Sequence, residues 1–312
     1  MSGKVYEIIT DRIIEQLEKG VAPWRKPWNA EQGFPRNLVT GKPYRGVNVF
    51  LLHAAGFESP YFLTFKQARQ LGGHVRKGER GLPVIFWNWI EKESRERPGE
   101  IETIPFLRYY TVFNVSQCEG VQAPQENRAR THEPIRACEE IAKGYRNGPE
   151  VIHGKTQAAY HPYFDMVFMP SPEAFTTGEE YYGTLFHELT HSTGHESRLA
   201  RQSFNETASF GSYSYSKEEL VAEMGAAFLC GMAGISPAVI RNQAAYLKNW
   251  IDALRGDSRL AIQAAAQAQK AADLILGIEA RKEPEEEGEG RGSPGPVLER
   301  MPLRSTSPSL FS

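Results

Sequence analysis

His187, Glu188 and His191 stand in T-L-F-H-E-L-T-H-S-T-G-H (residues 184–195) with the spacing H-E-x-x-H. On a helix, residues four apart share a face, so both imidazoles can point at one cation while Glu188 reaches the water that the cation activates. That set supports metal-dependent hydrolysis, in which the cation makes water ionisable near neutral pH and the glutamate takes its proton during attack on a carbonyl. His187 and His191 are therefore the expected ligands and Glu188 the expected general base. Zinc is the expected ion, and manganese also suits histidine and carboxylate donors.

A third protein ligand is needed. A histidine six residues after the second, as metzincins have, is missing: Ser197 occupies that position, although Gly194 matches the pattern. His195 follows the helix stop and is read as a cation at the negative end of the helix dipole. The later run E-L-V-A-E (residues 219–223) resembles the gluzincin arrangement of a glutamate ligand followed four residues on by an acid that accepts the free N–H of a ligand histidine. Glu219 is assigned as the ligand and Glu223 as the acid behind it. Ser216-x-x-Glu219 is also a capping box, and if the Glu219 carboxylate is occupied there, Glu223 becomes the ligand. Tyr160, Tyr163, Tyr181 and Tyr182 are candidates for stabilising an oxyanion, but tyrosines at such spacings more often line a core or a rim.

These side chains need helices held face to face. Thr177 and Glu180 have capping-box spacing at the start of a helix that runs through His191 and stops at Gly194. A strand over 163–170 precedes it and is expected at a sheet edge. Ser216 opens the helix that carries Glu219, and further helices are expected over 134–145, 236–254 and 258–276. Upstream, Val5, Ile9, Ile13 and Leu17 repeat every four residues and predict a helix over 4–19 with Gly20 as its stop. Residues 21–52 read as loop-rich, basic and aromatic. Thr64 caps a short helix through Leu71, and residues 81–90 and 106–115 read as two strands of a hairpin around a charged loop.

The resulting fold class is α+β with two domains. The N-terminal α+β domain covers 1–122, a polar linker 123–133, and a mostly helical domain with a small sheet 134–280. The Gly-, Pro- and Glu-rich tail 281–312 is too polar to bury a core and is expected to be disordered. No apolar run can span a bilayer and the N-terminus lacks a signal sequence, so a soluble, cytoplasmic protein without a membrane partner is expected. Three widely spaced cysteines fit neither a disulfide framework nor a cysteine zinc site, and read as reduced, buried thiols. Within a formal net charge of −2, residues 1–90 carry 13 Lys and Arg against 7 Asp and Glu, so an anionic partner is expected for that third. Basic residues interleaved with rings, as in W-R-K-P-W (residues 24–28) and K-P-Y-R (residues 42–45), suit single-stranded nucleic acid, with cations on phosphates and rings on bases.

The stretches N-L-V-T-G-K-P-Y-R-G-V-N (37–48), F-L-T-F-K-Q-A (62–68), G-G-H-V-R-K-G-E-R-G (72–81) and Y-Y-T-V-F-N-V-S-Q (109–117) resemble, in order, the ArdC-type antirestriction proteins. H-E-L-T-H-S-T-G-H-E-S-R-L and K-E-E-L-V-A-E-M-G-A-A-F-L agree. The resemblance implies a plasmid-carried antirestriction protein with an N-terminal single-stranded DNA-binding domain and a C-terminal zincin-like metallopeptidase domain, protecting DNA that enters by conjugation. Carried onto this sequence, it makes Lys42, Tyr44, Arg45, Asn48, Lys66, Gln67, Arg76 and Lys77 the expected DNA contacts, together with Trp24, Arg25 and Trp28. Two rivals are a DNA-shielding protein whose zincin domain is only a scaffold, and a soluble metalloprotease acting on a protein partner.

Overall fold

The computed structural model of the protein describes residues 2–25, 33–93, 101–124, 134–201, 213–236 and 243–279. Trp28, most of the expected linker and the expected disordered tail lie outside the described residues.

Helix α1 (Ser2–Glu18) buries Val5, Ile9, Ile13 and Leu17, the four-residue stripe seen in the sequence. Gly20 ends it at φ +79°, where a side chain would be strained. A short turn, Pro23–Arg25, carries Trp24 inward. Then come β1 (Arg36–Asn37), α2 (Val47–Ala54), β2 (Tyr61–Thr64), α3 (Phe65–Gln70), β3 (His74–Val75), β4 (Leu82–Glu93), β5 (Ile101–Asn114) and β6 (Cys118–Glu119). The main sheet has the order β1-β2-β5-β4, and β4 pairs with β5 from Leu82 opposite Val112 to Glu93 opposite Ile101. The hairpin therefore extends into the charged stretch read as loop. Thr64 caps α3 in a full capping box with Gln67.

Helix α2 departs from the loop-rich reading of 21–52. Its run V-N-V-F-L-L is almost wholly buried, and Asn48 ties it to the sheet by donating to the Ile85 carbonyl at 2.7 Å and accepting from the Ile85 N–H at 2.8 Å. Packing, rather than a local start signal, makes the helix.

The second half contains α4 (Pro134–Gly144), β7 (Glu150–Ile152), β8 (Ala159–His161), β9 (Met166–Phe168), α5 (Gly178–Ser192), α6 (Tyr213–Ala233), α7 (Gln243–Gly256) and α8 (Leu260–Ile275). The small sheet has the order β7-β9-β8. The strand expected at an edge is thus the central one, and β8 is an edge strand. Helix α6 is buried on every side from Leu220 to Cys230, packed against α5 and against the alanine-rich face of α8.

One hydrophobic core runs through both halves. Trp24 meets Trp250 of α7 edge-on at 5.3 Å, and Phe50 of α2 stacks on Phe228 of α6 at 4.7 Å. Cys118, Cys138 and Cys230 are free and buried, as their spacing suggested. Among the described residues no helix is long and apolar enough to cross a membrane.

Candidate metal centre

Helix α5 starts where Thr177 accepts the Glu180 N–H at 3.1 Å, and the Glu180 carboxylate accepts the Thr176 N–H at 3.0 Å. The four-residue step brings His187 and His191 together with their rings at 82° and their Nε2 atoms 3.1 Å apart. Helix α6 faces them. Glu219 places its carboxylate oxygens 3.6 Å from His187 Nε2 and 3.4 Å from His191 Nε2. The helices approach closely at Gly225, where an added Cβ would lie 2.4 Å from Thr190 Cγ2.

Three donors bound tetrahedrally to one ion at ordinary zinc distances are separated from each other by about 3.4 Å. The imidazoles stand 3.1 Å apart and each lies 3.4–3.6 Å from one of the two Glu219 oxygens, close to that spacing, and His187, His191 and Glu219 are the group among the described residues able to hold a metal ion. Helix α6 begins three residues before Ser216, so Ser216 lies inside the helix and the Glu219 carboxylate faces the histidines.

A second ring of charge stands behind the donors. Glu223 lies 4.0 Å from His187 Nδ1, and Glu218 lies 3.4 Å from His191 Nδ1. Arg201 holds Glu218 through Nε at 3.1 Å and through Nη2, and also donates to the Thr190 and His191 carbonyls at the end of α5. Burial disfavours charge on Glu218 and Glu219, but hydrogen bonds from His191, and for Glu218 from Arg201, prevail and hold both carboxyls at about 2. Burial likewise opposes charge on His191, yet Glu218 and Glu219 push its imidazole up to about 10. A cation held by these residues would take the place of that proton on His191.

Glu188 points to the small sheet, where its Oε2 accepts the Tyr160 N–H of edge strand β8 at 2.8 Å. Tyr160 donates its hydroxyl to Asp165, Tyr181 pairs with His153, and Tyr163 stands exposed on the turn after β8. His195 pairs with Ser197 at 2.7 Å, apart from the metal-ligating group.

The expected DNA contacts fall into two groups. Trp24, Tyr44 and Asn48 are buried, and Arg25 is bound bidentately to Glu223 with its side chain 8% exposed. These four are interior residues, whose partners lie in distant helices and strands. Gln67 serves the α3 cap, and Arg45 pairs with Asp273 while staying half exposed. Lys42, Lys66 and Lys77 are exposed, and Arg76, partly exposed, pairs with Glu79. The sequence reading missed exposed Phe86 and Tyr110, whose rings meet at 5.6 Å on the β4–β5 ribbon, with Arg108 opposite Phe86. Strand alternation places these three on one face, a signal available in the sequence. It also missed Glu218 and Arg201, which no spacing rule connects.

Residues 3–113 match the model of the N-terminal domain of anti-restriction factor ArdC, and residues 139–267 match that of a zincin-like metallopeptidase. A DNA primase TraC of Escherichia coli is 35% identical over 300 residues, which cover 89% of this chain but 27% of the primase, so the chain spans about a quarter of that relative. The metal-free crystal structure of the antirestriction protein ArdC from plasmid R388 is 40% identical, with a TM-score of 0.71, over 88% of this chain and 97% of that one. Its Mn(II)-bound structure is matched at 37% identity and a TM-score of 0.70, over 89% and 98%. With both halves matched in order and almost the whole length of a solved relative covered, the chain belongs to the ArdC antirestriction family.

Proposed function

We propose that the protein is an antirestriction factor that binds single-stranded DNA through residues 1–122 and carries, in residues 134–280, a divalent-metal centre able to hydrolyse a peptide bond. The observation that carries the second part is the convergence of His187, His191 and Glu219 on one point, with Glu188 on the same helix. A divalent ion held there, zinc or manganese, supplies the Lewis acidity that polarises a carbonyl and lets water ionise near neutral pH. Glu188, fixed through one oxygen by the Tyr160 N–H, takes the proton from water and returns it to the leaving nitrogen. Edge strand β8 lies beside Glu188 and is tied to it through the Tyr160 N–H.

The first part is supported by the basic N-terminal third and the exposed Phe86, Tyr110 and Arg108, rings and a cation of the kind that single strands use. Lys42, Arg45, Lys66, Arg76 and Lys77 are the matching phosphate contacts. Protection of DNA arriving by conjugation follows if coating the single strand delays its conversion to a restriction substrate.

The test is Glu188→Ala. Bound metal is expected to remain, measured by elemental analysis, while cleavage of a peptide library falls by about 100-fold or more. Absence of any divalent ion in the wild type removes the metal reading. Equal or tighter binding of duplex than of single strand in a gel shift removes the DNA reading.

A further inference from the structure

Arg25 belongs to the N-terminal half, yet its side chain is buried against the C-terminal helices. Its guanidinium lies over the Trp250 ring at 5.1 Å, beside Trp24, which packs edge-on against the same indole. Nε and Nη2 donate to the two oxygens of Glu223 at 2.9 and 2.7 Å. Glu223 then stands 4.0 Å from Nδ1 of His187, whose Nε2 faces Glu219. Arg25 is thus bound to the carboxylate that stands within ion-pair distance, though beyond hydrogen-bond length, of a candidate ligand imidazole.

A buried ion pair contributes little net stability over apolar side chains of the same volume, because desolvation offsets the attraction. What a bidentate guanidinium does supply is orientation, since two parallel N–H donors fix the plane of the carboxylate. That plane matters here. A ligand histidine has its ring orientation and tautomer set by the acceptor at its other nitrogen. The indole beneath Arg25 restricts the guanidinium in turn.

We infer that Arg25 is a positioning residue of the metal centre, acting through Glu223 on His187, so that the centre is completed by the N-terminal half of the chain. The inference rests on reading His187, His191 and Glu219 as the ligands. It gives the antirestriction-type domain a direct hold on the metallopeptidase-like site, and by linkage anything that displaces Arg25 weakens metal binding to the same degree that metal resists the displacement.

Full-length metal-free wild type, Arg25→Lys, Arg25→Met, Glu223→Gln and the Arg25→Met/Glu223→Gln double variant are titrated with Mn(II) and with Zn(II) by calorimetry, with melting curves of each metal-free form. Wild type is expected to bind one ion per chain. Arg25→Met weakens it by about 10-fold or more, and Arg25→Lys, which keeps the charge without the fork, by less. The double variant binds no more weakly than Glu223→Gln, because Arg25 has no route to the ion except Glu223. A merely structural Arg25 would lower the melting temperature and leave the affinity of the folded protein unchanged. That result overturns the inference, as does strict additivity in the double variant. If Arg25→Met fails to fold, the comparison of Arg25→Lys with wild type decides by the same criterion. A wild type that binds neither ion defeats the ligand assignment itself, which separates the two failures.

Discussion

Replacing Arg201 with Met isolates the electrostatics behind His191. The arginine side chain is 4% exposed and Glu218 8%, so the pair is effectively out of water. Met keeps an unbranched chain as far as the position of Nε but removes every donor. Glu218 loses both guanidinium hydrogen bonds while keeping His191 beside it, and the Thr190 and His191 carbonyls at the end of α5 lose the donor they share. Breaking a buried pair by removing one partner costs about 3–5 kcal/mol. At about 2–4 °C per kcal/mol for a domain of roughly this size, the melting temperature should fall by about 6–20 °C at pH 7. The loss depends on pH in a definite direction. The Glu218 carboxyl is held at about 2 in the folded protein, below its ordinary 4.5, so its contribution is present in full above 4.5 and lost as pH falls towards 2. The gap between wild type and variant should therefore narrow from pH 5 to pH 3. Adding Glu218→Gln removes the stranded charge, and the double variant should melt above Arg201→Met alone. Calorimetric melts at the three pH values settle it. A shift under 2 °C at pH 7, or a gap that does not narrow on acidification, refutes the account.

Gly225→Ala places a Cβ 2.4 Å from Thr190 Cγ2, so it should destabilise by about 1–3 kcal/mol in a denaturant melt, with Thr190→Ala recovering part of the loss. Metal binding should release about one proton at pH 7, because His191 is held protonated up to about 10, and affinity should rise with pH between 6 and 9. Calorimetry in two buffers of different ionisation enthalpy counts that proton, and a count of zero excludes the charged imidazole. Trp24→Ala should act on the core, costing about 3–5 kcal/mol of stability. Lys66→Ala should leave the melt unchanged and reduce the salt dependence of single-strand binding by about 0.7 in log–log slope. Equal effects of the two on strand affinity at constant folded fraction would reverse the division of DNA-contact candidates into interior and surface.

Half of the candidate metal centre was legible because it is local. His187 and His191 share a helical face whatever surrounds them, and Thr177 marks where that helix begins. The choice between Glu219 and Glu223 was not local, because it turned on where α6 starts. With the helix running from Tyr213, the Ser216 capping box never forms and Glu219 faces the histidines. The expected DNA contacts that lie in the interior show the same limit from the other side. Trp24 and Arg25 have the composition of a nucleic-acid surface, but a ring that stacks on a base and one that packs on Trp250 differ only in what folding brings opposite them. Residue type states what a side chain can do. Partners about 200 positions away decide whether it is free to do it, and at Arg25 that partner is the carboxylate beside a candidate metal-ligating histidine.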